Sequence, residues 1–507
     1  MASDAFWDLN LAQWIKDEGN YKYEPLYRCA GFNDCIGFMP PILYHATAIF
    51  SLASGLEIYD AIYILIILIS SLSILMWYFI IRRFDKKIAM LSLPLTFFLY
   101  KMFFLTVFTW GKWKFITMQI FLFAFIWILL APELKKRYLL LGIFAASVFM
   151  SHVAEIIYIP ILAIIYLAVT YFKEKDTKKL FDRSKVLAIA AGIAIIISSY
   201  LIIIIIKVWP HGPIATFQNI APTWDKAVMA NFGIVVWIII IGALFGLYFA
   251  FKKTSNEVFF AYFLAIAGFA NLIGFAFAFH ARYYWPIYMS LLFGIAIYFI
   301  LLLPIKSIVK VWRLEYTMIL SLIIAGIVIY SIYQPLGNDG LMNSDRWQLF
   351  NWIDHNAEKD AKVYFFYGDT FSQNAILWTT KRVSYLANVG DIVDSIKNST
   401  LKRYYKLELT GPTDTQYAYG SIFSPKFHLL ETNQSYFSGK SDICSFDYYV
   451  FEKASAQPVL AQFNIAMGNE LLKNNWMQLV ANNQLGFIIK NTQPGKDCFP
   501  KEGVKIG

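Results

Sequence analysis

Long unbroken apolar runs separated by short polar turns fill the first two thirds of the chain, as in AIYILIILISSLSILMWYFII at 61–81 and VLAIAAGIAIIISSYLIIIIIKVW at 186–209. Each run reaches the roughly 20 apolar residues that a hydrocarbon core about 30 Å thick demands of a helix. The pattern predicts about ten transmembrane helices, near 58–81, 88–105, 116–131, 138–151, 155–172, 186–206, 232–250, 258–279, 284–303 and 316–333. Continuous apolarity excludes a β-barrel, whose spans are shorter and alternate in polarity.

The flanks behave differently. Ahead of the first run, SDAFWDLNLAQWIKDEG at 3–19 predicts an amphipathic helix. Phe6, Leu9, Trp14 and Ile15 would then rest on the membrane interface, with Asp4 and Asp8 one turn apart on a shared face. A second stretch, MPPILYHATAIFSLASGL at 39–56, opens on prolines suited to a helix start and is too polar for a span. Beyond 335 no membrane-length run occurs. There the pattern predicts a helix from 344, a strand at 361–367, a helix at 371–381 and a strand at 382–387. FDYYVFEK and LGFIIKN add strands around a helix near 459–473. The expected fold class is a polytopic α-helical membrane protein with a C-terminal extracytoplasmic α/β domain. It divides into a first loop at 1–57, a transmembrane domain at 58–334 and the α/β domain at 335–507.

Composition agrees: 58% hydrophobic and 15% charged residues lie outside the range of soluble globular chains. Charge then sets orientation. One alternating set of short loops holds 18 Lys and Arg against 5 in the other. Basic loops stay cytoplasmic, so both flanks are expected outside a multi-pass protein of the cell membrane. From 335 onward 17 basic residues balance 17 acidic ones, so the net charge of +10 belongs to the membrane half. It reports topology and implies no nucleic-acid partner. Cys29 and Cys35 fall in the first loop, Cys444 and Cys498 in the last domain. In an oxidising compartment they would pair as Cys29–Cys35 and Cys444–Cys498; four free thiols are the alternative. An outside start with no apolar leader is awkward to translocate, which suggests that a first helix precedes Met1; a true N-out protein is the other reading.

No phosphate-cradling loop, zinc cluster or nucleophile elbow is present. The span centres hold almost no ionisable groups, which argues against an ion-coupled transporter. Polar residues gather on the extracytoplasmic side: Asp4 and Asp8, His152 and Glu155, Lys207, His211 and Lys226, then His280 and Arg282. A substrate with its tail in the bilayer and a phosphate at the interface would meet them there. Arg282 is a permanent cation able to grip phosphate oxygens in two places. A carboxylate opposite could take the proton of an acceptor hydroxyl. Each residue also has a plainer role as a solvated face, a turn cap or an interfacial anchor. Their grouping carries more weight than any member.

These residues resemble a known family. The acidic, aromatic opening and the proline-led stretch after it are similar to the first external loop of the C-type (GT-C) membrane glycosyltransferases. HARYYWPIYMSLLFGIAIYFI looks like a late span of that family, led by an external arginine and carrying Gly294. DRWQLFNWIDHNAEKDAKVYFF, FDYYVFEK and WMQLVANNQLGFIIKN resemble the external domain of archaeal relatives, including oligosaccharyltransferase catalytic subunits. The resemblance implies transfer of a sugar or glycan from a polyprenyl-phosphate-linked donor to a glycan, lipid or protein acceptor. Asp4 and Asp8 would be catalytic, with Asp4 the base or a metal ligand. Arg282, with His280 or Lys207, would bind the donor phosphate, and His152, Glu155, His211 and Lys226 would line the site. Two departures stand out. The acceptor motif of oligosaccharyltransferases survives only faintly in YFFYGDT at 364–370, and the second external loop, TVFTWGKWKF, has no acid to complete a Mg or Mn site. A metal-independent transferase is therefore expected over an oligosaccharyltransferase. A non-catalytic binder or transporter of lipid-linked glycans is the alternative.

Overall fold

The computed structural model describes residues 3–22, 27, 39–83, 85–96, 111, 113–131, 133–152, 158–208, 235–252, 285–309, 313–332, 344–367, 373–387, 389–406, 408–409, 415–417, 441–453 and 458–506. Helix α1 (Ser3–Glu18) is followed by α2 (Ile42–Ser54), which starts directly after Pro41 and stops at Gly55 with φ 72°. Gly55 donates its N–H to the Ser51 carbonyl, closing α2 in the left-handed conformation that glycine adopts without strain. Helix α3 (Ile58–Arg82) then runs 25 residues. Ile62, Ile66, Ser70, Ser73 and Trp77 are buried along one side of it, while Ile64, Leu68, Leu72 and Leu75 are exposed along another. Both faces are largely apolar, as a bilayer-facing helix requires.

The rest of the helical part comprises a helical stretch at 86–96, α4 (Trp113–Leu129), α5 (Arg137–Ser151), α6 (Tyr158–Glu174), α7 (Thr177–Ile197), α8 (Ser199–Val208), α9 (Val235–Lys252), α10 (Trp285–Ile297) and α11 (Leu314–Ile332). Apolar helix falls in most of the expected spans, but not as about ten uninterrupted ones. Among the described residues, Ile58–Arg82 and Met289–Ile308 are long and apolar enough to cross a bilayer. Thr177–Ile197 and Ser199–Ile206 make a third only if their 70° bend lies within one span. Among the other apolar helices, α9 and α11 run 18 and 19 residues, and α2, α4, α5 and α6 run 13–17. The expected span at 258–279 lies outside the described residues.

Small residues bring these helices together. A Cβ at Gly294 on α10 would collide with Ser92 Oγ and the Ile88 carbonyl, and one at Gly242 on α9 would strike the Leu292 backbone. Trp77 Nε1 donates to Ser290 Oγ at 2.8 Å, tying α3 to α10 in the core. At the end of α4, Arg137 Nε donates to the Ile128 carbonyl at 3.0 Å, and Arg83 reaches the Leu130 carbonyl. These basic residues cap carbonyls that a helix C-terminus leaves without partners.

Beyond 344 the chain forms an α/β layer. Helix α12 (Ser344–Asn356) leads to β1 (Lys362–Phe366), α13 (Gln373–Thr380), β2 (Val383–Ala387) and α14 (Val389–Lys397). Short strands β3 (Arg403–Tyr404), β4 (Glu408–Leu409), β5 (Thr415–Tyr417) and β6 (Ser441–Asp442) precede β7 (Tyr448–Glu452), α15 (Pro458–Leu471), β8 (Met477–Asn482), β9 (Gly486–Asn491) and β10 (Val504–Lys505). Six strands make a mixed sheet in the order β5-β2-β1-β7-β9-β8. β1 runs parallel to both neighbours, with Val363 opposite Ser384 and Tyr448. The apolar run VYFF is buried throughout, as expected of a strand covered on both faces. Arg382 joins the layers: its guanidinium donates to the carbonyls of Asp354 at 3.1 Å and Ala357 at 2.7 Å at the end of α12, and of Thr380 at 3.2 Å at the end of α13. A disulfide links Cys444 to Cys498; Cys29 and Cys35 lie outside the described residues.

Two predictions follow from this layer. The Cys444–Cys498 bond closes a loop of 54 residues, so Cys498→Ser should lower the unfolding stability of the domain by about 3 kcal/mol in thermal denaturation. Glu358 Oε1 accepts from Lys490 Nζ at 2.8 Å and its Oε2 from the Tyr448 hydroxyl at 2.8 Å. The Lys490 ammonium, first, then backbone and Tyr448 hydrogen bonds pull its carboxyl from 4.5 down to about 2. A depressed carboxyl stabilises the fold fully above pH about 4.5 and loses that contribution as pH falls toward 2. Because Glu358 is more than half exposed, solvent keeps the effect below about 1 kcal/mol. Glu358→Gln should therefore remove a small part of the acid limb between those pH values and leave stability at pH 7 lower by the same small amount.

Candidate functional site

The residues of helix α1 expected to rest on a membrane interface, Phe6, Leu9, Trp14 and Ile15, are packed inside the protein. The α1 sequence looks amphipathic, yet Phe6, Asp8, Leu9, Leu11, Ala12 and Trp14 are all buried, because α2, α3 and α13 pack around the helix. Gly111 closes on the beginning of α1. Gly111 has φ 74°, and a Cβ there would collide with the backbone of Ala5. Only glycine allows the chain so close while holding that left-handed conformation.

This enclosure decides the state of Asp8. Its Oδ1 lies 3.2 Å from Lys114 Nζ, in the first turn of α4, and accepts from the Tyr44 hydroxyl on α2 at 3.1 Å. The carboxylate has no exposure and the Lys114 side chain is 20% exposed, so the pair is mostly shielded from solvent. A buried carboxylate is tolerated when an opposite charge and hydrogen bonds replace its water. Asp8 thus pins three elements that are distant in sequence. His152 ends α5, its N–H donating to the Val148 carbonyl at 3.0 Å, and its ring meets Phe115 edge-on at 6.3 Å. Asp8 and His152 therefore approach the same turn of α4 through adjacent residues, Lys114 and Phe115.

Asp4 lies on α1 one turn before Asp8, and Lys207 lies near the end of α8; the side chains of both lie outside the described residues. Glu155, His211, Lys226, His280 and Arg282 lie outside them altogether. The echo of an acceptor motif at 364–370 starts in the core: Tyr367 is buried with its ring 5.4 Å from Phe350. Gly368 and Asp369 are outside the described residues. Sequence reasoning missed Lys114 and Tyr44. Lys114 had a signal, as one of two lysines in the otherwise uncharged loop TVFTWGKWKF; Tyr44, one tyrosine among 32, had none. Among the described residues, no group of three or more His, Cys, Asp or Glu side chains gathers at Asp8.

Aromatic rings continue outward from this point. Trp113 meets Tyr63 at 5.5 Å, Tyr63 meets Tyr59 at 5.1 Å, and Tyr59 meets Trp378 of α13 at 6.1 Å. Phe6 touches the same Trp378 at 5.7 Å. The seam joins the helical part to the α/β layer through α1.

This fold recurs in solved structures. The Archaeoglobus fulgidus oligosaccharyltransferase tethered with an acceptor peptide matches at TM-score 0.55 and 12% identity, covering 96% of this chain and 84% of its own. ArnT from Cupriavidus metallidurans bound to undecaprenyl phosphate matches at TM-score 0.53 and 11% identity, covering 96% and 93%. The fold is that of the GT-C glycosyltransferases. A third GT-C structure, archaeal AglB from Archaeoglobus fulgidus in complex with an inhibitory peptide and a dolichol-phosphate, matches at TM-score 0.51 and 15% identity over 75% of this chain. The chain spans 60% of the length of that structure. No protein-family model and no curated protein matches the sequence. The chain likewise combines apolar helices with an α/β layer.

The Asp8 anchor makes a prediction. Asp8→Ala strands the Lys114 ammonium and should destabilise the protein by about 3 kcal/mol. Lys114→Met in that background should recover part of the loss, giving a coupling of about 1–3 kcal/mol in a double-mutant thermal unfolding cycle. A coupling indistinguishable from zero would show that the contact contributes nothing.

Proposed function

We propose that the chain is a multi-pass membrane glycosyltransferase that moves a sugar or glycan from a polyprenyl-phosphate-linked donor to an acceptor on the extracytoplasmic face. The shared GT-C fold supports this reading, together with neighbours whose structures hold dolichol-phosphate or undecaprenyl phosphate. The observation that carries it is the enclosed first helix. An acidic helix buried between the membrane helices and the terminal domain is where a lipid phosphate and a water-borne acceptor meet. The expected division into a first loop at 1–57, a helical membrane domain at 58–334 and an extracytoplasmic domain at 335–507 belongs to this proposal, as do the remaining expected spans.

The two acids then take different roles. Asp8 is held by the Lys114 ammonium and the Tyr44 hydroxyl. It holds α1 in place and is a positioning residue. Asp4, one turn earlier, is the proposed base. It removes the proton from the acceptor hydroxyl as the oxygen attacks the anomeric carbon. The bond from that carbon to the phosphate oxygen breaks, and the polyprenyl phosphate leaves with the electron pair. Arg282, with His280 or Lys207, receives the charge that develops on the departing phosphate. His152, Glu155, His211 and Lys226 complete the rim of the site, and no step requires a metal.

The test uses the full chain in lipid nanodiscs with a radiolabelled lipid-linked sugar. Asp4→Asn should lower kcat by about a hundredfold or more with an unchanged unfolding temperature. Asp4→Asn with full activity would remove Asp4 as the base.

A further inference from the structure

The side of α1 turned away from Asp8 faces a second feature. At 3.6 residues per turn, Phe6 and Gln13 lie about 160° and 140° around the helix from Asp8. Both line a cavity of ≈ 800 Å³ between α1, the start of α3, α12 and α13. That volume falls within the roughly 300–1,000 Å³ of pockets that hold small ligands. The cavity is separated from the Asp8–Lys114 pair by the thickness of α1.

Its lining has two parts. The first is a cluster of broad rings: Trp347 lies 5.1 Å from Trp378, and Tyr59 lies 6.1 Å from the same ring. Trp347 is 38% and Tyr59 39% exposed, so apolar ring surface is left open to the cavity. The second part is polar. Trp347, Asn351 and Asp354 follow at intervals of four and three on α12, which puts them on one face. Asp354 is held by Lys381 at 3.7 Å and Arg382 at 3.6 Å, so its charge is already met. Glu57 adds an exposed acid, and Lys381 is the one lysine or arginine among the lining residues.

Open ring faces beside an amide and carboxylates suit one chemistry. A pyranose offers an apolar face of C–H groups, which stacks on aromatic rings, and an edge of hydroxyls, which pairs with amide and carboxylate groups. A lining with no surplus of positive charge disfavours a phosphate or pyrophosphate. An acyl chain would leave Glu57 and Asn351 without water or partners. We propose that this cavity is a binding cleft for two or three rings of a neutral glycan. That the glycan is the transferase acceptor rests on the function proposed above; the binding itself does not.

The full chain in lipid nanodiscs, titrated with maltotriose, mannotriose or triacetylchitotriose, tests it by saturation-transfer NMR and tryptophan fluorescence. At least one trisaccharide should bind saturably at about 1 mM or tighter. Trp347→Ala at an exposed position and Asn351→Ala at a half-buried one should each weaken that binding about tenfold without shifting thermal unfolding. Asp4→Asn should bind the same sugar as well as the parent does. Failure of the transfer assay with sugar binding intact would count against the proposed function and not against the cleft. The cleft itself is overturned if none of the three sugars binds, or if both variants bind as the parent does. It is likewise overturned if inorganic pyrophosphate or an uncharged decapeptide binds there more tightly than every sugar.

Discussion

A fully buried carboxylate is the constraint around which α1, α2 and α4 are arranged. Asp8 has no exposed surface, and its ion pair with Lys114 and hydrogen bond from Tyr44 fix where α2 and α4 stand relative to α1. Desolvating a charge costs several kcal/mol, and the attraction repays it only when the geometry is held. Helix α1 is consequently part of the protein core. Gly111 is the steric counterpart of that anchor, since it lets the chain press on the start of α1 at a place where a side chain could not fit.

From this anchor the aromatic seam carries the packing into the α/β layer. Trp113, Tyr63, Tyr59 and Trp378 touch in turn, so the membrane helices and the terminal layer share side chains across their junction. The layer is firm on its own side. Arg382 donates to the Asp354 and Ala357 carbonyls at the end of α12 and to the Thr380 carbonyl at the end of α13, and Asn464 Nδ2 donates to the Phe366 carbonyl at 3.1 Å and the Glu452 carbonyl at 2.6 Å, locking α15 to β1 and β7. A reaction at this junction would take place between two bodies that are each internally braced.

Local pattern made much of this legible. The alternation of helix and strand after 344 falls where β1, α13, β2, β7, α15 and β9 stand, because each element is specified by its own period and turn residues. The start of α2 follows from its prolines in the same way. Apolarity, by contrast, shows that a segment is lipid-compatible and not how long it stays straight, which is why the 70° break after Ile197 was invisible in a run of isoleucines. The burial of α1 was equally hidden. Its acids read as a solvated face, and only contact with Tyr44 on α2 and Lys114 on α4 on one side and with α13 on another makes the helix an interior one. Tyr44 and Lys114 join the site through such long-range contacts, so no local signal marks the set as a whole.

Helix α1 carries a charge anchor on one side and borders the aromatic cavity on the other. Sixteen helical residues span about 24 Å and act as a stiff rod over that distance. Any tilt that improves the fit of an occupant beside Trp378 must also move the Asp8 carboxylate relative to Lys114. Free energies of this kind are reciprocal: what filling one side does to the other, the other returns in equal measure. The rod makes α1 a lever, and its two loads cannot be set independently.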